Sequence, residues 1–286
     1  MTNKTAIILT EPSGRDCLPA ELSPYATAAL GGMTEEADEM ATLPLNWCVL
    51  QNVFKQYDRI VVTGGLSSAD RMMQGNPLHF SEMLLIVLRE AAKSFDKEVY
   101  LLRKKEPVLL NPLSDSELIA IAGQQATVFS TSRKRIKTKS VTSVQKNDTG
   151  HLSTYSADDW AECYFAWLNN ATRGLVKVQK KGWTYYFCAA GLHKPLLVLE
   201  KNHAVQSTNV AELMIKSGFL NAESAAAKPI GRFWFISSCD GKFVYTSLVH
   251  FQPALPWLIY RLTQGWIHSV VMQQFQRYIQ TPASST

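Results

Sequence analysis

The sequence predicts an α/β N-terminal part with a small, partly parallel sheet, followed by an α+β part and a long C-terminal helix. Three observations predict it. Ile60 to Thr63 is a β-branched run suited to a buried strand, and KEVYLLRK (97–104) is a second strand of the same kind. Between them, residues 76–95 put Phe80, Met83, Leu84, Val87, Leu88 and Ala91 at three- and four-residue steps, one apolar helix face opened by Pro77. Strand, helix, strand at that spacing gives a parallel pair. Beyond Thr127 the signals change to hairpins, which is the α+β pattern.

Taken in order, KTAIILT reads as a first strand, stopped by Glu11-Pro12-Ser13-Gly14. TEEADEMA (34–41) is a short acidic helix or a solvated loop. After Thr63 the chain runs through Gly64-Gly65 to Ser67, a helix N-cap with Asp70 three residues on. SDSELIAIAG is a short helix closed by Gly123. Residues 130–156 are rich in Ser, Thr and Lys and poor in large apolar groups, so the boundary falls there. The division is 1–127, a basic flexible segment 128–155, and 156–286.

In the second half, Ser156 caps ADDWAECYFAWLNNATRG, with Asp159 at the capping-box position and Gly174 as the stop. LVKVQKKGWTYYF is a hairpin turning at Lys180-Lys181-Gly182. PLLVLE is a short apolar run, and TNVAELMIKSGFL a short helix ending at Gly218. RFWFISSCDGKFVYTSLVHF is a hairpin in which Asp240-Gly241 predicts a type I′ turn. Residues 254–280 form the final helix, weakened at Gly265.

Composition excludes several classes. With 286 residues, 46% hydrophobic and 19% charged, the chain buries a core without staples and is not a disordered composition. Five cysteines (Cys17, Cys48, Cys163, Cys188, Cys239) lie far apart with no CxxC pair, so neither a disulfide framework nor a zinc ribbon is expected. The first residues hold a four-residue apolar run, where a secretory signal needs about 7–15. The apolar C-terminal stretch is broken by Arg261, Gln264 and His268. A cytoplasmic protein with no membrane contact is the expectation.

Catalytic patterns are missing: there is no GxSxG, no HExxH and no cysteine-with-histidine signature. Cys188, His193 and His203 match no zinc spacing. No metal, cofactor or catalytic residue is therefore assigned. Gly64, Gly65, Ser67 and Ser68 form a strand-to-helix turn that would favour an anion, although GxxxxGK[ST] and GxGxxG are both absent. A tight, satisfied turn is the plain alternative.

Charge is the stronger signal. The net charge of +5 is unevenly placed, and residues 128–150 carry Arg133, Lys134, Arg135, Lys137, Lys139 and Lys146 against Asp148 alone. Six phosphate contacts correspond to a salt slope of about −5. An extended, solvated linker is the alternative. A second cluster, Arg173, Lys177, Lys180 and Lys181 with Trp183 beside them, sits at a helix end and on the following hairpin. Helix followed by basic-tipped hairpin is the layout of a winged helix, and Trp183, Tyr185 and Tyr186 offer faces for base stacking.

Over residues 156–252, WAECYFAWLNNATRGLVKV, VAELMIKSGFL and FWFISSCDGKFVYTSLV resemble the winged-helix-like C-terminal domain of conjugative relaxases of mobile elements. The resemblance implies a nucleic-acid-facing module. It carries no relaxase activity, because residues 1–127 match nothing of that family. The expectation is thus a non-catalytic accessory or subunit protein that contacts DNA or RNA phosphates through two basic clusters, with other protein subunits as further partners. Two rivals are an enzyme acting on a nucleotide or phosphoester at Gly64-Gly65, and an interaction scaffold docking through Trp257, Trp266 and Phe275.

Overall fold

The computed structural model describes residues 5–9, 46–63, 71–74, 77–103, 106–126, 140–150, 154–222, 231–254 and 266–281. They belong to two compact units. One comprises Met1–Ala69 and Phe80–Arg135, the other Asp70–His79 and Ile136–Thr286.

The first unit holds strands β1 (Thr5–Leu9), β2 (Arg59–Thr63), β4 (Glu98–Arg103) and β5 (Glu106–Leu109) in the order β1-β2-β4-β5. The β1–β2 and β2–β4 pairs are parallel and β4–β5 is antiparallel. Its helices are α1 (Trp47–Gln56), α2 (Pro77–Phe95) and α3 (Asp115–Ala126). Sequence reading missed α1, although Asn46 caps it by accepting the Cys48 N–H at 2.9 Å, and Trp47, Leu50 and Phe54 lie on its buried stripe. Helix α2 is buried on every side from Phe80 to Ala92, not on one face. Its charge is neutralised internally: Arg89 meets Asp115 at 2.5 Å and Glu90 at 3.2 Å. Helix α3 starts on a capping box, Ser114 with Glu117, and continues through Gly123 to Ala126. The neighbours of Gly123 leave the position open, so nothing forces a stop there.

The second unit is one large sheet of eight strands: β3 (Arg71–Gln74), β6 (Val141–Asp148), β7 (Val176–Lys181), β8 (Thr184–Ala189), β9 (Leu197–Lys201), β10 (Val210–Ser217), β11 (Arg232–Ser237) and β12 (Phe243–Phe251). The order is β3-β6-β12-β11-β10-β9-β8-β7. Seven strands run antiparallel to their neighbours, and β3 joins β6 in parallel. Helices α4 (Ala157–Ala171) and α5 (Trp266–Gln280) pack on the sheet. Ser156 and Asp159 close the capping box of α4 in both directions. Its Tyr164 and Phe165 sit on Phe235 and Tyr185, and Phe275 of α5 meets Tyr164 and Trp167, each at a ring separation of 5.0 Å.

This sheet overturns the winged-helix-like reading of residues 156–252. VAELMIKS is not a helix but strand β10, bonded on both sides by β9 and β11. A strand buried on both faces reads as a near-continuous apolar run, and Leu213 and Met214 happen to mimic helical spacing from Val210. Gly218 ends no helix: at φ +137 it lets the chain pass Leu197, whose Cα would lie 2.6 Å from an added Cβ. Of the expected C-terminal helix over 254–280, the described part is the 15-residue helix Trp266–Gln280, and residues 255–265 lie outside the described residues. The Asp240-Gly241 turn does close a hairpin, but through a four-residue loop with the Gly241 N–H donating to Ser238 C=O at 3.0 Å, not a type I′ pair. Val141–Asp148, assigned by composition to the flexible segment, is strand β6, paired with β12 and β3. Its Val and Thr residues suit a pleated sheet, whatever the Ser and Lys content around them.

Candidate nucleic-acid interface

The two basic clusters fare differently. Arg133, Lys134, Arg135, Lys137 and Lys139 lie outside the described residues, as do Gly64, Gly65, Ser67 and Ser68. Lys146 is on β6, where its ammonium is held 4.3 Å from the Phe243 ring centre and 5.5 Å from that of Tyr245. The hairpin β7–β8 is six inter-strand steps away, roughly 29 Å at the usual spacing. Strand registers put Lys146, Lys177 and Lys181 on the same nominal side of the sheet. Ordinary twist of about 20–25° per step nevertheless turns that side through roughly 120–150° between β6 and β7. Lys146 thus shares a nominal side with the hairpin lysines but lies six strands from them.

The hairpin itself is built locally. Lys181 pairs with Thr184, leaving Gly182 and Trp183 as a two-residue turn. Gly182 has φ +58 and Trp183 does not take positive φ, the pattern of a type II′ turn with Gly first. Strand β7 is the edge of the sheet, and α4 covers its free backbone groups. Asn169 Oδ1 accepts the Val178 N–H at 2.5 Å and its amide donates to Val178 C=O at 3.4 Å. Thr172 Oγ1 accepts the Val176 N–H at 3.2 Å, and its single proton is shared between Leu168 C=O at 2.8 Å and Val176 C=O at 2.9 Å. These two side chains stand in for a neighbouring strand, which blocks edge-to-edge pairing there.

Alternation along β7 then sorts the lysines. Lys180 lies on the α4 side and is neutralised: its ammonium meets Glu162 at 2.5 Å, and the same carboxylate oxygen accepts from Tyr185 at 2.5 Å. Burial and that hydrogen bond push the Tyr185 phenol far above its ordinary range, so it stays a donor. Lys177 and Lys181 lie on the opposite side, both exposed. Together with Arg173, at φ 49 beyond the end of α4, they have no acidic partner among the described residues. Lys181 rests its ammonium 5.6 Å from the Tyr186 ring centre.

Trp183 is 57% exposed at the turn. Two neighbours that sequence reading missed are His203, whose ring meets it edge-on at 4.5 Å, and Lys201, whose ammonium is 5.7 Å from its centre. Lys201 is also paired with Asp158 at 2.7 Å. Only the β8–β9 pairing brings these residues beside Trp183, so no local pattern could have signalled them.

Elsewhere, Phe275, read as part of a docking surface, is fully buried against α4. Among the described residues no three His, Cys, Asp or Glu side chains converge as metal ligands, and no disulfide joins Cys48, Cys163, Cys188 or Cys239. No described helix is long and apolar enough to cross a membrane.

No family model and no curated protein matches this chain. A solved structure with some likeness is a gene product of Bordetella parapertussis determined by NMR in solution. It is 14% identical over 54% of this chain and 82% of its own, with a TM-score of 0.29, a likeness too slight to carry an argument.

Proposed function

We propose that the protein binds nucleic acid as a non-catalytic accessory or subunit protein, with the β7–β8 hairpin lying on the phosphate backbone. The observation behind this reading is that Arg173, Lys177 and Lys181, spread from the base of the hairpin to its tip, have no acidic partner among the described residues, while Lys180, Lys201 and Lys216 are each paired with a carboxylate. Uncommitted cations at an edge protected from strand addition are suited to a polyanion. Such contacts position a backbone and read no bases.

The test is the salt dependence of oligonucleotide binding. Replacing Arg173, Lys177 and Lys181 by Ala should weaken binding evenly across sequences and flatten the log–log salt slope by about 2–3. A second variant, with Arg133, Lys134, Arg135 and Lys137 replaced by Ala, measures what the 128–139 stretch adds. If neither variant changes affinity or slope, the reading fails.

A second reading, an interaction scaffold, draws on Leu175, Leu192 and Phe219, all exposed at the end of the sheet away from the Gly182-Trp183 turn. It takes precedence if no oligonucleotide is retained.

A further inference from the structure

We infer that the nucleic acid taken at this hairpin is single-stranded, with an unpaired base stacking on Trp183; this rests on the nucleic-acid reading above. Three features of the site point to it.

The first is the state of the indole. Trp183 stands over half exposed in a two-residue turn whose backbone is pinned, since the Lys201 N–H donates to Trp183 C=O at 3.0 Å. His203 meets the ring edge-on and Lys201 lies near its centre, with Lys201 anchored in turn by Asp158. The ring is therefore braced in place without being buried, as a stacking platform requires.

The second is the electrostatic shortfall. Three uncommitted cations amount to a single-strand salt slope of about −2, well short of what a purely phosphate-bound duplex complex employs. Tight binding through so few described cations would call on contacts other than phosphate. A base presents its face only when unstacked; in a duplex the faces are covered and the grooves show edges alone.

The third is continuity. On the side of the sheet facing away from α4, Lys177 and Lys181 of β7 lie opposite Cys188 and Thr184 of β8, with Tyr186 between those two. The cation of Lys181 sits over Tyr186 and next in sequence to the turn that carries Trp183. The indole, beside Lys201 on the α4 side, and these cations on the other side meet at the hairpin tip, so a strand crossing the tip meets both charge and an aromatic face.

The experiment uses the full chain and fluorescence anisotropy with a labelled 20-nucleotide oligothymidylate and a labelled duplex of the same length. The single strand should bind about tenfold more tightly than the duplex at matched salt. Trp183→Ala should weaken single-strand binding about tenfold, leave duplex binding alone and leave the salt slope unchanged, since no charge is removed. Trp183→Phe should keep most of the affinity. Because Trp183 is exposed, coincident thermal melts will show that both variants fold. If Trp183→Ala leaves single-strand affinity unchanged, the inference is overturned while the nucleic-acid reading stands on its salt slope. If neither oligonucleotide binds, both are overturned.

Discussion

At the centre of the eight-stranded sheet, Glu212 of β10 and Arg232 of β11 lie out of water, Nε to Oε1 at 2.9 Å, with Asn202 donating to the other carboxylate oxygen. At its edge, Lys177 and Lys181 of β7 stand in solvent with no acid beside them among the described residues. Both regions are charged strands of one sheet, yet the charge has opposite meaning. In the centre it is compensated internally, and removing either partner strands the other. At the edge it is left uncompensated, costs little in water, and remains available to a partner. Where a strand falls in the sheet order decides which of these a charged residue becomes.

The sharpest way to break the comparison is in the centre. Glu212→Ala leaves Arg232 buried without its carboxylate and should cost about 3–5 kcal/mol in urea unfolding. The double variant Glu212→Met with Arg232→Met should recover most of that loss. An intermediate effect is expected where α4 protects the edge. Asn169→Ala uncovers the N–H and C=O of Val178 and should cost about 1–2 kcal/mol, with an increased tendency to self-associate by light scattering. Smaller still is Ser156→Ala, which removes the α4 capping box and should cost about 1 kcal/mol. At the edge itself, Lys177→Ala with Lys181→Ala should change stability by no more than about 0.5 kcal/mol. A large stability loss in that last variant would show that the hairpin lysines are structural after all, and the contrast would collapse.

Much of the local structure was legible. The capping box at Ser156, the strands at Ile60 and Val99, and the turn at Gly182 all follow from residue types at fixed spacing. What failed was wherever burial on both sides erased the period. Val210–Ser217 contains strong helix formers in Ala211, Glu212, Leu213 and Met214, and pairing with two neighbours overrode that preference. Val141–Asp148 looked like linker because Ser, Thr and Lys dominate its surroundings, yet it pairs on both sides. The hairpin's cations could be seen in the sequence. Their sorting into paired Lys180 and unpaired Lys177 and Lys181 could not, because Glu162 is 18 residues from Lys180.

By itself, then, the sequence determined the elements that close on their own neighbours: caps, tight turns, the β2–α2–β4 unit and the aromatic stripe of α4. It also determined that the hairpin would be basic and carry Trp183. Only the tertiary structure decided that a single broad sheet replaces the winged helix, that Lys146 lies far across it, and that Lys201 and His203 brace the indole. The physical reason is range. Helix caps and turns are satisfied within a few residues, whereas strand order is fixed by hydrogen bonds between segments far apart in the chain. That order decides which charges meet a partner and which meet water.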